Sequence, residues 1–101
     1  MAKRSPTALS MDFLNKSGYV CQVAEKWIPG ANMRKDMFDF GDILAYHPMH
    51  GIALVQTTTA HNMEARRQKI LASPHYAGWK RAGGKIILHG WGKNGCEGGL
   101  L

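Results

Sequence analysis

The sequence predicts an α/β domain in which a mixed β-sheet is covered by helices on both faces. Three observations carry this. Two runs, Phe38 to Tyr46 and Gly51 to Thr59, flank His47-Pro48-Met49-His50-Gly51, which has the proline and glycine of a hairpin turn. Both runs place apolar residues on both faces (Ile43 and Ala45 against Leu44 and Tyr46; Ala53 and Val55 against Ile52 and Leu54), so neither face of the sheet is expected to meet water. A helical segment and another strand follow the second run. The right-handed crossover of such a unit sets the last strand parallel to the one before the helix.

The elements follow in chain order. Ser5-Pro6 reads as a helix start, with serine as N-cap and proline at the first helical position. Leu9, Phe13 and Leu14 then form an apolar stripe, and Gly18 closes the helix. Tyr19 to Trp27 is rich in strand formers and ends at the breaker Ile28-Pro29-Gly30. A polar loop with Arg34, Lys35 and Asp36 leads into the two hairpin runs. A second helix is expected from about Asn62 to Ser73, with Met63, Arg67, Ile70 and Leu71 on one face. Pro74 interrupts it, and a short continuation through Tyr76 and Trp79 ends at Gly83-Gly84. Lys85 to Trp91 is the final strand, and the glycine-rich tail from Gly92 is expected to be mobile.

A chain of 101 residues has room for one core, so we expect a single domain over 1–101, with an ordered part of about 5–91 and a tail of 92–101. No apolar run reaches the roughly 18 residues that a membrane span needs. The polar start Met1-Ala2-Lys3-Arg4 does not resemble an export signal, so a cytoplasmic location without membrane partners is expected. Cys21 and Cys96 then read as two free thiols. Thirteen Lys and Arg against seven Asp and Glu give a net charge of +6, which favours a polyanionic partner. DNA is the expected partner and RNA the alternative.

Register turns the hairpin into a candidate site. A turn that sets Tyr46 opposite Ile52 sets Asp42 opposite Gln56, with Thr58 on the same face two residues on. If the preceding strand pairs with Trp27 near Phe40, Glu25 falls beside Asp42. Polar side chains in a row across an apolar face are costly to bury without partners, so a ligand, a metal or solvent should reach them. Glu25, Asp42 and Gln56 offer oxygen ligands suited to Mg²⁺ or Mn²⁺. By contrast, His47 and His50 lack nearby partners for a zinc site and read as a solvated turn.

The stretch Phe40-Gly41-Asp42-Ile43-Leu44-Ala45-Tyr46, the turn, and Ile52-Ala53-Leu54-Val55-Gln56-Thr57-Thr58 resembles the motif of the PD-(D/E)XK nuclease superfamily. The order of elements from Ser5 to Trp91 is similar to its minimal restriction-endonuclease-like α-β-β-β-α-β core, as in archaeal-type Holliday junction resolvases and VRR-type nucleases. The resemblance implies that Asp42 is the metal-binding aspartate. It puts Gln56 at the second acid and Thr58 at the lysine, both departures, and leaves the usual helix-borne acid without a match. On the register estimate, and not from the resemblance, Glu25 is the candidate replacement acid, with Lys26 or Arg34 as candidate sources of positive charge.

The resemblance implies a divalent-metal-dependent endonuclease that acts on DNA, with catalytic positions Asp42, Gln56 and Thr58 and metal ligands Asp42 and Gln56; the register estimate adds Glu25 to both sets. Nucleic acid is expected to contact Lys26, Arg34, Lys35, His61, Arg66, Arg67 and Lys69, and a homodimer is expected. The alternative is a catalytically inactive relative that binds DNA or RNA or serves as an assembly subunit. A small interaction module without nucleic acid is a third reading.

Overall fold

A computed structural model describes residues 4–101. The opening Met1-Ala2-Lys3 lies outside it. Helix α1 (Pro6–Lys16) starts as expected: Ser5 is its N-cap, and the side-chain oxygen accepts the Ala8 N–H at 3.1 Å. Gly18 follows at φ +93°, a left-handed turn out of the helix.

Five strands form the main sheet in the order β1 (Val20–Val23), β4 (Ile43–His47), β5 (Gly51–Thr59), β6 (Lys85–Gly92), β7 (Gly95–Leu100). The expected hairpin register holds, with Tyr46 opposite Ile52. The crossover also holds, since β6 runs parallel to β5. It passes through a 3₁₀ turn at Ala60–Asn62, helix α2 (Met63–Ala72) and helix α3 (Tyr76–Arg81). Helix α1 covers one face, where Met11 and Leu14 pack on Ile43, Val55 and Ile87. Helices α2 and α3 cover the other, where Ile70, Tyr76 and Trp79 pack with Leu54, Ile86 and Leu88. The α/β class and the mixed sheet with a helix layer on each face are therefore as the sequence implies. Among the described residues, no helix is long and apolar enough to cross a membrane.

Three expectations need correction. The strand expected over Tyr19–Trp27 stops at Val23, and Trp27 lies instead in a separate two-stranded ribbon, β2 (Lys26–Ile28) with β3 (Met33–Lys35). The run expected from Phe38 enters the sheet only near Asp42. Phe38 and Asp39 have φ of +53° and +73°, a tight loop closed by a Met37–Gly41 bridge. The tail from Gly92 is not a loose end but strand β7, paired antiparallel with β6. The Leu101 N–H donates to the Ile86 carbonyl at 2.9 Å. Glycine is required there: at Gly98 (φ +104°) a Cβ would stand 2.2 Å from the Leu88 carbonyl oxygen. The glycines that suggested mobility instead let β7 lie against β6.

Candidate acidic site at the head of the hairpin

The site forms where three backbone segments leave the sheet at one end. Asp42 precedes β4 directly, one step beyond the Ile43–Val55 pair, and so stands across from Gln56. Its Oδ2 accepts three hydrogen bonds: from Gln56 Nε2 at 2.6 Å, from the Thr57 backbone N–H at 2.8 Å, and from Thr57 Oγ1 at 3.2 Å. Thr57 Oγ1 in turn lies 3.0 Å from Thr7 Oγ1, which ties the first turn of α1 to the site.

Glu25 reaches Asp42 by a route that differs from the expected one. The β1–β4 register sets Ala24, not Glu25, next in line opposite Asp42. The chain bulges there, and the N–H groups of both Ala24 and Glu25 point to the Asp42 carbonyl, at 2.8 and 3.4 Å. The bulge absorbs the one-residue offset and re-aims the Glu25 side chain. The ribbon then adds a residue that sequence reading left in a loop. Lys26 pairs with Lys35, and one step further along the same register Glu25 faces Asp36. Glu25, Asp36 and Asp42 each offer a carboxylate oxygen, and all three atoms lie within 4.8 Å of one another. The signal for Asp36 was present in Ile28-Pro29-Gly30-Ala31-Asn32-Met33, which reads as a hairpin turn once Gly30 and Asn32 take positive φ.

The cluster opens into a cavity of about 350 Å³. Burial, a hydrogen bond shared with Asp36, and the nearby charges of Asp36 and Glu25 push the Asp42 carboxyl up to about 7, against the lowering effect of the Thr57 N–H. The cavity walls also carry Gln56, and Gln56 Oε1 is a buried side-chain oxygen without any hydrogen-bond partner. Gln56 is 2% exposed, so water does not satisfy that oxygen from bulk. Its amide cannot turn over usefully, because Nε2 already donates toward two acceptors, Asp42 Oδ2 and the Thr57 carbonyl. The three carboxylates are an all-oxygen donor set that could hold a hard cation, while Gln56 turns its Nε2, not its free Oε1, toward Asp42.

Basic side chains surround this acidic floor. Arg34, Arg66 and Lys69 line the same cavity. Arg34 Nη1 is 2.6 Å from Glu25 Oε1, and Lys69 Nζ is 3.7 Å from Asp36 Oδ2. The other expected residues are placed differently. Thr58 is buried in β5 but does not line the cavity, whereas Thr57 does. Lys26 and Lys35 pair across the exposed ribbon, His61 is exposed in the 3₁₀ turn, and Arg67 is held by Glu64 on α2 at 2.9 Å. Compared with known proteins, the chain matches no family model, no curated protein and no solved structure.

Proposed function

We propose that this protein is a divalent-cation-dependent endonuclease that hydrolyses DNA phosphodiester bonds at the Glu25–Asp36–Asp42–Gln56 site. The observation that carries the reading is the convergence of three carboxylates, Glu25, Asp36 and Asp42, on a cavity whose wall also carries Arg66 and Lys69. Mg²⁺ or Mn²⁺ is the cation whose oxygen preference this donor set meets. Such an ion, when bound, polarises a phosphate and lowers the pKa of a water.

The chain's own residues supply the rest. Arg66 and Lys69 stand in the cavity wall, where a phosphate approaching the acids needs neutralisation. Lys69 thereby offers from α2 the positive charge that Thr58 cannot offer from β5. Asp42, once deprotonated, keeps its Oδ2 locked by Thr57 and Gln56, which fixes the carboxylate beside Asp36 and Glu25. The first turn of α1, through Pro6 and Thr7, lies in the wall as well and brings the positive end of a helix dipole to the site. Membership of the PD-(D/E)XK superfamily is part of the proposal. It is supported by the helix–strand order and by the place of Asp42 at the head of a hairpin opposite Gln56.

A second reading has its own support: Arg34 and Lys69 already neutralise Glu25 and Asp36, as in a nuclease-like protein that binds nucleic acid without cutting it. One experiment separates the two. The protein is incubated with branched, duplex and single-stranded DNA in Mg²⁺ or Mn²⁺, beside Asp42→Ala and Asp36→Ala. Cleavage is expected, and each variant is expected to lose about 100-fold or more of it. Undiminished cleavage by Asp42→Ala rules out the site, and binding without cleavage of any substrate selects the non-catalytic reading.

A further inference from the structure

The acidic cavity is one end of a longer track. A second cavity of about 670 Å³ shares Arg34, Asp36 and Lys69 with it and runs between the β2–β3 ribbon and the C-terminal end of α2. Its apolar walls are Ile28, Met33, Ala72 and Pro74. Pro74 also borders a third depression, lined by Phe38, His75 and Trp79. The Phe38 ring centroid lies 5.2 Å from that of His75 and 6.1 Å from that of Trp79.

Phe38 is the telling residue. It is held at φ +53°, a conformation that a bulky side chain adopts only at a cost, yet the residue is 46% exposed. Strain kept to bury a side chain would need no further reason. Strain kept to display an aromatic ring beside an apolar channel points to a flat partner. The chemistry along the track changes in the same way: acids and cations at one end, a largely apolar step with Asp39 in its wall, then aromatic rings, with Asp39 Oδ2 3.9 Å from His75 Nε2. A single nucleic-acid strand with its bases turned outward presents both charged phosphates and flat apolar faces, whereas a duplex hides those faces in its stack.

We infer that the track takes one unpaired strand of DNA, with a phosphate over the acidic site and neighbouring bases against Met33 and Phe38. This rests on the proposed function and specifies its substrate class. The test separates the two by measuring binding without a divalent ion and cleavage with one.

The full chain is titrated in EDTA against fluorescein-labelled single-stranded and duplex DNA of equal length, followed by anisotropy. The same titrations are made with Phe38→Gly. Glycine suits the positive φ, so this variant keeps or raises its melting temperature while losing the ring. The expected result is single-strand affinity about tenfold above duplex affinity, with the preference erased in Phe38→Gly and duplex affinity unchanged. Equal or tighter duplex binding, a preference that survives Phe38→Gly, or no binding to either DNA overturns the inference. Single-strand preference without cleavage in Mg²⁺ overturns the proposed function alone; cleavage without the preference overturns this inference alone.

Discussion

At the scale of single residues, Asp42 concentrates the competing forces of the site. Its Oδ2 is well supplied with donors, but burial and two neighbouring acids favour the protonated form and push the group up to about 7. The linkage follows from the sign of that shift. Between the ordinary carboxylate range and about 7, the native state holds a proton that the unfolded chain has released. The stability tied to that proton is present at low pH and is lost as pH rises toward and through 7. Asn at this position keeps an oxygen for Gln56 and Thr57 and offers an N–H₂ toward Asp36 without a charge. In EDTA, Asp42→Asn is therefore expected to melt above the parent protein at pH 8 by the equivalent of about 1–3 kcal/mol, with the gap closing toward pH 5. Thermal unfolding of both proteins across that range checks it. A variant that melts lower at pH 8 contradicts the account.

At the scale of elements, the clip between α1 and β6 shows how polar residues lock the layers. The Trp91 indole N–H donates to Ser10 Oγ at 2.7 Å, and the same hydroxyl is hydrogen-bonded to His89 Nδ1 at 2.9 Å. Ser10 and His89 are both buried, and burial holds the imidazole below its usual pKa and hence neutral. Ser10→Ala leaves the buried His89 Nδ1 and the part-buried Trp91 N–H without their partner, for an expected loss of roughly 1–3 kcal/mol, read as a fall in the urea midpoint. A loss below about 0.5 kcal/mol would mean that water replaces the hydroxyl. The apolar stripe of α1 was legible from Leu9 and Leu14, but Ser10 was not. A serine in a helix is ordinarily a solvated residue, and only its partner 79 positions away in the chain makes it a buried one.

At the scale of the whole molecule, the chain carries a net charge of +6, and some of its cations stand at the site. Arg34, Arg66 and Lys69 ring the acidic cavity, while Arg67 is spent on Glu64. A cation that meets a phosphate releases counterions, so DNA affinity should fall with salt, and each such contact on a single strand contributes about 0.7 to the log–log slope. Arg66→Ala is expected to lower that slope by about 0.7, whereas Arg67→Ala, on a side chain already held by Glu64, should change it little. Binding measured from low to moderate salt distinguishes the two; equal slopes for both variants would remove Arg66 from the interface.

Much of this protein was written in local chemistry. Ser5-Pro6 and Gly18 determined α1. The turn at His47–Gly51 determined the β4–β5 register, and with it Asp42 opposite Gln56, because side-chain alternation leaves one choice once a turn is set. The α/β class followed from strands apolar on both faces. Tertiary structure decided the rest. Glycines that read as a loose tail form β7 because Gly98 can approach the Leu88 carbonyl where any side chain would collide. Asp36 joins Glu25 and Asp42 because a ribbon register and a β-bulge, neither visible in hydrophobic periodicity, fold a polar loop back onto the sheet. Short-range steric and hydrogen-bonding preferences are properties of a few consecutive residues and can be read from them. The convergence of three carboxylates depends on long-range pairing, where the energy of packing the whole sheet outweighs the local cost of bringing like charges together.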